Sequence, residues 1–296
     1  MRRLTAAALL VATATAGALA APRFDAARAW RDLERVVGFG PRPSSSPALE
    51  RTRAYLVAEL TRVGALVRRQ RFSVTGPAGP LELTNVIAEL PGRRPEVILF
   101  GGHYETKPFR AFRFVGANDG GSSTALLLEL ARVLARAPRE QTVWVVFFDG
   151  EEAHEPDAVT VPLWGSRHFV ADLRRRGQLG WLRTAVIVDM IGDRDLDIRR
   201  EAASTPWLTA LIWEAARGLG HGRHFLDDTL AVVDDHVPFL EAGIPAALLI
   251  DFTYPPWHTA GDTLDKLSPR SLQVVGDVLL RALPEIEAAI QHGRGR

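Results

Sequence analysis

The amino-acid sequence predicts a single α/β domain, on three observations. Residues 143–148, Val-Trp-Val-Val-Phe-Phe, form an unbroken β-branched and aromatic run too short for an ordinary helix, the pattern of a strand buried on both faces. Runs of this kind alternate along the chain with amphipathic helical stretches, as in folds whose sheet is covered by helices. The 296 residues contain no internal repeat, no low-complexity run and no linker long enough to divide them. At 47% apolar and 24% charged, the composition supports a substantial globular core.

Taken in order, the chain opens with Met1-Arg2-Arg3, an apolar stretch over residues 4–20, and Ala18-Leu19-Ala20. A charged start, a short apolar run and a small-residue cleavage site predict a secretory signal peptide over residues 1–21 and an exported, periplasmic or secreted, mature chain over 22–296. The run is short and rich in Ala and Thr, which disfavours a membrane anchor, and no later stretch is apolar enough to span a bilayer. Loss of Arg2 and Arg3 takes the formal charge from +1 to −1, so nothing marks a nucleic-acid surface. The cysteine count is zero, which excludes disulfides, a thiolate nucleophile, a lipoprotein attachment and cysteine-ligated zinc. Any metal must be held by histidines and carboxylates.

Residues 24–37 have helical periodicity and stop at Gly38-Phe39-Gly40-Pro41-Arg42-Pro43. Ser44 to Ser46 and Pro47 supply an N-cap and an N1 proline for a second amphipathic helix over 47–63, closed by Gly64. Strand-like pieces follow at 67–74, 81–90 and 96–100, separated by Gly/Pro turns. A helix over 122–136 carries Leu126, Leu127, Leu130 and Leu134 on one face. After the central strand come a loop over 153–162, a helix near 165–175, a buried strand over 184–188 and a helix over 206–218. A short helix ends at Gly243, a last strand covers 246–250, and a final helix over 269–290 leaves a frayed tail at 291–296.

The chemistry-bearing residues gather at strand ends. Asp149, Glu151 and Glu152 follow the central strand directly, and ligands of open α/β sheets bind outside the carboxyl ends of strands. Alone, such a cluster fits a cation site or proton-transfer group no better than a solvated acidic turn entering a helix. However, His103, Asp189 and His258 also sit where apolar strands end, and Asp119 opens a helix. Zinc without thiolates takes imidazole nitrogens and carboxylate oxygens and keeps one position open in a catalytic site. Asp119, Glu152 and His258 match that donor set, and Glu151 beside a ligand is placed for general acid/base work. His103 and Tyr104 are ligand-like by position, with a supporting role if one zinc binds. His168 reads as structural and His236 is open between structure and function. His221 and His224 read as solvated, and Asp235 as a bridge to a helix N-terminus or a site residue. Trp30, Trp144, Trp181, Trp207 and Trp213 read as packing residues, and Arg174 to Arg176 as a solvated helix end.

The segments His103-Tyr104-Glu105, Val115 to Asp119, Asp149 to Glu152, Gly165 to His168, Asp189 to Gly192, Asp234 to Phe239 and Trp257-His258-Thr259 occur in an order that resembles a known clan. It is the zinc aminopeptidase-like fold shared by di-zinc aminopeptidases and animal-type glutaminyl-peptide cyclotransferases. The resemblance spans essentially all of the mature chain. His-Tyr-x-x-Lys at 103–107, Phe-Val-Gly-Ala before Asp119, Leu-x-Gly-Ser-Arg-His at 163–168, Asp-Asp-His at 234–236 and Trp257 before His258 are similar to the cyclase branch in particular. The resemblance implies a three-layer α/β/α sandwich around a mixed, mostly parallel sheet. It also implies one zinc per chain on Asp119, Glu152 and His258, and Glu151 as proton shuttle. Asp189 and Asp234 would form a hydrogen-bonded acidic pair, and Trp257 would wall a substrate site that also includes Lys107 and Trp164. The implied reaction closes an N-terminal glutamine of a peptide or protein to pyroglutamate and releases ammonia. The rival within the clan is a secreted aminopeptidase, with His103 and Asp189 taking a second zinc and Asp119 bridging. A catalytically dead binding domain is disfavoured by the intact set of ligands and acid/base groups. The expected partners are peptide or protein N-termini, with no nucleic acid and no stable membrane anchor. Three departures bear on specificity: Glu105 stands where both branches usually have Asp, residues 153–162 lack a Trp, and the disulfide of secreted animal cyclases is impossible.

Overall fold

The computed structural model describes residues 23–77, 79–154 and 161–294. The expected signal peptide lies outside them, as do residues 155–160 of the expected loop. Helices α1 (Ala26–Gly38) and α2 (Pro47–Arg62) lead into strands β1 (Leu66–Gly76), β2 (Gly79–Leu90) and β3 (Arg94–His103). Then come α3 (Gly121–Ala135), β4 (Gln141–Phe148), α4 (Trp164–Arg175), β5 (Leu182–Asp189), β6 (Ile198–Glu201) and α5 (Pro206–Gly218). The chain closes with β7 (Phe225–Leu230), α6 (Val237–Glu241), β8 (Ala246–Ile250) and α7 (Pro269–Gln291). The bounds of α5 and β8 coincide with those read from the sequence. As expected, Ser46 caps α2 through its hydroxyl, with Pro47 following it.

One six-stranded sheet has the order β1-β2-β4-β3-β5-β8. β1, β2 and β4 pair antiparallel, whereas β4, β3, β5 and β8 run parallel. The apolar run of β4 lies at the centre and is buried along its length. Its parallel neighbours are buried on both faces, so helices must cover both sides. Gly102 and Gly101 show which helix covers which face. A Cβ on Gly102 would lie 3.2 Å from the Ser123 side chain of α3, and one on Gly101 would lie 2.8 Å from the Phe148 ring. On that second face Phe148 packs edge-on to Phe169 of α4, which in turn meets Phe239 of α6. The result is the three-layer α/β/α architecture, with α3, α1 and α7 on the opposite side from α4 and α6.

The layer under α3 is tied by charge as well as packing. Arg132 of α3 donates to Asp32 of α1 and to Glu59 of α2 (2.8 Å), and lies 3.4 Å from Glu129. All four side chains are buried or nearly so. Because β3, β4, β5 and β8 are parallel, their carboxyl ends share one rim. His103 ends β3, Asp149 follows β4, Asp189 ends β5, and Asp251 follows β8.

Two strands escape the sequence reading. β6 and β7 pair parallel as a separate ribbon, held by Arg200 on Asp227 (2.8 Å) and Arg199 on Asp228 (2.6 Å). His224, read as solvated, is half-buried there, its Nδ1 2.9 Å from the Leu196 carbonyl. Among the described residues no helix is long and apolar enough to cross a membrane.

Candidate active site

The rim carries a cluster of buried carboxylates and imidazoles. His258 Nε2 lies 3.1 Å from Glu152 Oε1 and 3.3 Å from Asp119 Oδ2. One ligand atom from each of Asp119, Glu152 and His258 falls within 4.8 Å of the others. Asp119 Oδ2 is buried without a hydrogen bond, an orphan that a cation would satisfy. The set of two carboxylates and one imidazole suits a divalent metal in a site with an open position. Two other groupings converge at similar range, His103–Asp119–Asp189 and His103–Glu105–Glu151. In the last, Glu105 Oε1 accepts the N–H groups of Glu151 (2.6 Å) and Glu152 (3.1 Å), while its Oε2 and His103 Nδ1 are buried without a hydrogen bond.

The geometry comes from local chain constraints. Asp119 sits at the mouth of α3, where Gly120 has φ +73° and a Cβ there would lie 2.4 Å from the Glu105 carbonyl. Only glycine fits that position. His258 adopts φ +53° and Met190, beside Asp189, φ +47°. Left-handed backbone at two non-glycine residues of one site is the kind of strain that surrounding structure must hold in place.

A cavity of about 240 Å³ opens onto the cluster, lined among others by Asp119, Glu151, Glu152, Asp189, Asp234 and Trp257. Burial and then the neighbouring Glu152 push the Glu151 carboxyl well above its usual range. Burial, and then Asp119, raise Glu152 to about 7. Asp234 is likewise raised to about 7 by burial and then by Asp189. The structure thus brings Asp189 and Asp234 to one wall. Asp189 accepts from Met190 N–H (2.8 Å) and lies 3.0 Å from His103 Nε2, while Asp234 accepts from the N–H of Asp235. Trp257 is 39% exposed, stacks on the His258 ring at 4.2 Å and meets the Phe252 ring at 4.8 Å, so the part of the indole left uncovered lines the cavity.

The remaining expected site residues lie around this centre. Lys107 is buried with Nζ 3.6 Å from Glu152 Oε2, and Trp164 packs near His154 and over Gly150. Neither lines the 240 Å³ cavity. Asp149 turns away from the cluster and is held by Ser44, Arg53 and the Thr84 N–H. Asp235 receives the Ser166 hydroxyl from the first turn of α4, the bridging role. His236 is buried 3.0 Å from Glu201, and His168 stacks on Phe72.

Three residues at the site were not singled out in the sequence. Asp262 accepts the N–H groups of Asn118 (2.8 Å) and Asp119 (3.1 Å) and the Tyr254 hydroxyl, so it fastens the loop of Asp119 to the loop of His258. Arg42 is fully buried, and its guanidinium donates to the carbonyls of Tyr104, Val115 and Gly116 on either side of the loop leaving β3. Glu105, noted only as a departure, anchors the Glu151–Glu152 backbone. An acidic residue four places after His258 was the available signal for Asp262. An arginine clamped between two prolines was the one for Arg42.

The profile of peptidase family M28 matches residues 85–283, about two thirds of the chain and all of the rim. The chain belongs to peptidase family M28. Among M28-type relatives it is similar to the aminopeptidase YwaD of Bacillus subtilis, 31% identical over 207 residues. That match takes in 65% of this chain but only 42% of the relative's length. It is also similar to the glutaminyl-peptide cyclotransferase-like protein of Bos taurus, 27% identical and covering 89% of this chain and 76% of that one. The crystal structure of an Acidobacteriales bacterium glutaminyl cyclase superposes with a TM-score of 0.86 at 38% identity, over 95% of this chain and all of that one.

Proposed function

We propose that this M28 protein is a zinc-dependent glutaminyl-peptide cyclotransferase acting on peptide or protein N-termini after export. The observation that carries the reading is how the donors are distributed. Asp119, Glu152 and His258 face the cavity, whereas His103 does not line it and is engaged with Asp189 at 3.0 Å. One ion at the cavity wall is what a cyclase needs, because the substrate's own amine is the nucleophile and no activated water is required. The near full-length likeness to a glutaminyl cyclase supports the same reading.

Zinc held there would act as a Lewis acid toward the γ-carboxamide of the N-terminal glutamine. The chain's own residues do the rest. The small cavity seats the glutamine side chain against Trp257, which brings the α-amine toward the amide carbon. Glu151 takes a proton from the attacking amine as the new C–N bond closes the lactam. It returns that proton to the departing nitrogen as the old C–N bond breaks and ammonia leaves. Asp189 and Asp234 share the wall, where two close buried carboxylates do not both ionise, so one proton is kept at hand beside Glu151.

The second reading, an aminopeptidase, is favoured by the convergence of His103, Asp119 and Asp189 within ligand range. Metal analysis separates the two. We expect one tightly held zinc per chain at near-neutral pH, with ammonia released from N-terminal glutaminyl peptides. Two tightly held zincs together with free amino acids from peptides would sink the cyclase reading. Trp257→Ala is expected to raise KM about tenfold or more with zinc content unchanged. Loss of zinc in that variant would show that the indole supports His258 instead of the substrate.

A further inference from the structure

A second cavity, of about 530 Å³, adjoins the Glu152–His258 pair and has no part in the chemistry above. Its wall and the site are in contact. Lys107, in its lining, reaches Glu152 at 3.6 Å, and the rings of Phe109 and Phe114 stand edge-on to the His258 imidazole at 5.5 and 6.0 Å. The loop that builds it reads Lys107-Pro108-Phe109-Arg110-Ala111-Phe112-Arg113-Phe114, an aromatic and basic alternation that the fold alone does not demand. Phe109 stacks on Phe112 at 4.6 Å and meets Phe114 at 5.2 Å, so the rings form one block. Across from them stand Pro41, Pro43 and Leu81, which makes the interior apolar and stiff. At the rim Arg110 is exposed and has no carboxylate partner among the described residues. Among the described residues that line this cavity none is a carboxylate, and His154 stands in the lining with Lys107 and Arg110.

We infer that this cavity is a subsite for the residues that follow the N-terminal one, an inference that rests on the cyclase reading for the identity of the first residue. With the first residue seated in the 240 Å³ cavity, the residues that follow leave it, and His258 stands between that cavity and the second one. An apolar side chain leaving the first cavity on that side comes to rest against Phe109, Phe114 and Leu81. A negative charge one residue further on meets Arg110. The substrate class is therefore a peptide with a large apolar second residue followed by an acidic one. The apolar contact carries more of the preference, because an exposed ion pair contributes little.

Steady-state rates for Gln-Leu-Glu, Gln-Leu-Lys and Gln-Gly-Gly test this in the wild type, Leu81→Ser and Arg110→Ala. In the wild type we expect kcat/KM for Gln-Leu-Glu to exceed that for Gln-Gly-Gly by about tenfold or more, mainly through KM. Gln-Leu-Lys should fall about threefold below Gln-Leu-Glu. Leu81→Ser should shrink the leucine-to-glycine ratio, and Arg110→Ala should abolish the Glu-to-Lys ratio. A wild type indifferent to the second and third residues would overturn the subsite, as would variants that slow all three peptides in equal proportion. The cyclase reading fails separately, by absence of ammonia from every peptide. The same ratios would then be read from free amino acid release or, without turnover, from peptide binding followed by tryptophan fluorescence.

Discussion

Replacing Glu151 by glutamine is expected to lower turnover by about 10² or more while metal and fold are retained. Glutamine has nearly the same shape, so the cavity that Glu151 lines with Asp189 and Asp234 keeps its walls. What disappears is a group able to accept a proton from the amine and pass it to the leaving nitrogen. The backbone N–H of Glu151 remains anchored on Glu105, so its position does not depend on the side chain's charge. Metal content by elemental analysis and ammonia release measured on the same preparation check both halves of the expectation. Turnover near that of the wild type would remove Glu151 from the mechanism.

Arg132→Met is expected to destabilise the protein by about 3–5 kcal/mol, the usual cost of stripping the partner from buried charges. Arg132 joins α3 to α1 and α2 through Asp32, Glu59 and Glu129. Its removal leaves Asp32 with the Tyr55 hydroxyl and Glu129 with Arg28, while both carboxylates stay buried. Burial by itself disfavours the charged guanidinium, yet its ties to Asp32 and Glu59 hold its pKa above the usual arginine value. Denaturant unfolding with an unchanged slope and a lowered midpoint is the expected signature. A shift below about 1 kcal/mol would mean that water reaches the network and screens it.

Much of this was readable from residue pattern because the site is built on strand ends. β4 announced itself by six consecutive buried apolar residues, and the acids that follow it, with His103, Asp189 and His258, fell into place once the parallel order put those ends on one rim. β6 and β7 gave no such signal. Ile-Arg-Arg-Glu and Phe-Leu-Asp-Asp-Thr-Leu owe their pairing to cross-strand Arg–Asp contacts, which carry neither apolar alternation nor length. One oxygen of Asp189 and one of Asp234 accept the N–H of the next residue in the chain, a pairing that residue type alone does not announce. Such choices are made by backbone direction at a turn, which composition does not reveal. Asp262 and Arg42 carried only a faint signal for a related reason. Their partners are backbone N–H groups and carbonyls, and these have no sequence identity to read.

Arg42 has a consequence for how the molecule comes apart. Its guanidinium is pinned by carbonyls at both ends of the segment from Tyr104 to Gly116, and its own carbonyl accepts the Thr106 N–H. The first helices and the rim therefore belong to one cooperative unit. Fraying that lifts residues 41–43 also releases the loop that seats Asp119, so the enzyme has no partly opened form that stays competent. Proteolytic trimming from the amino end should therefore lower stability as it removes α1 and abolish activity once it reaches that arginine, so activity would report on the docking of a segment that touches no substrate.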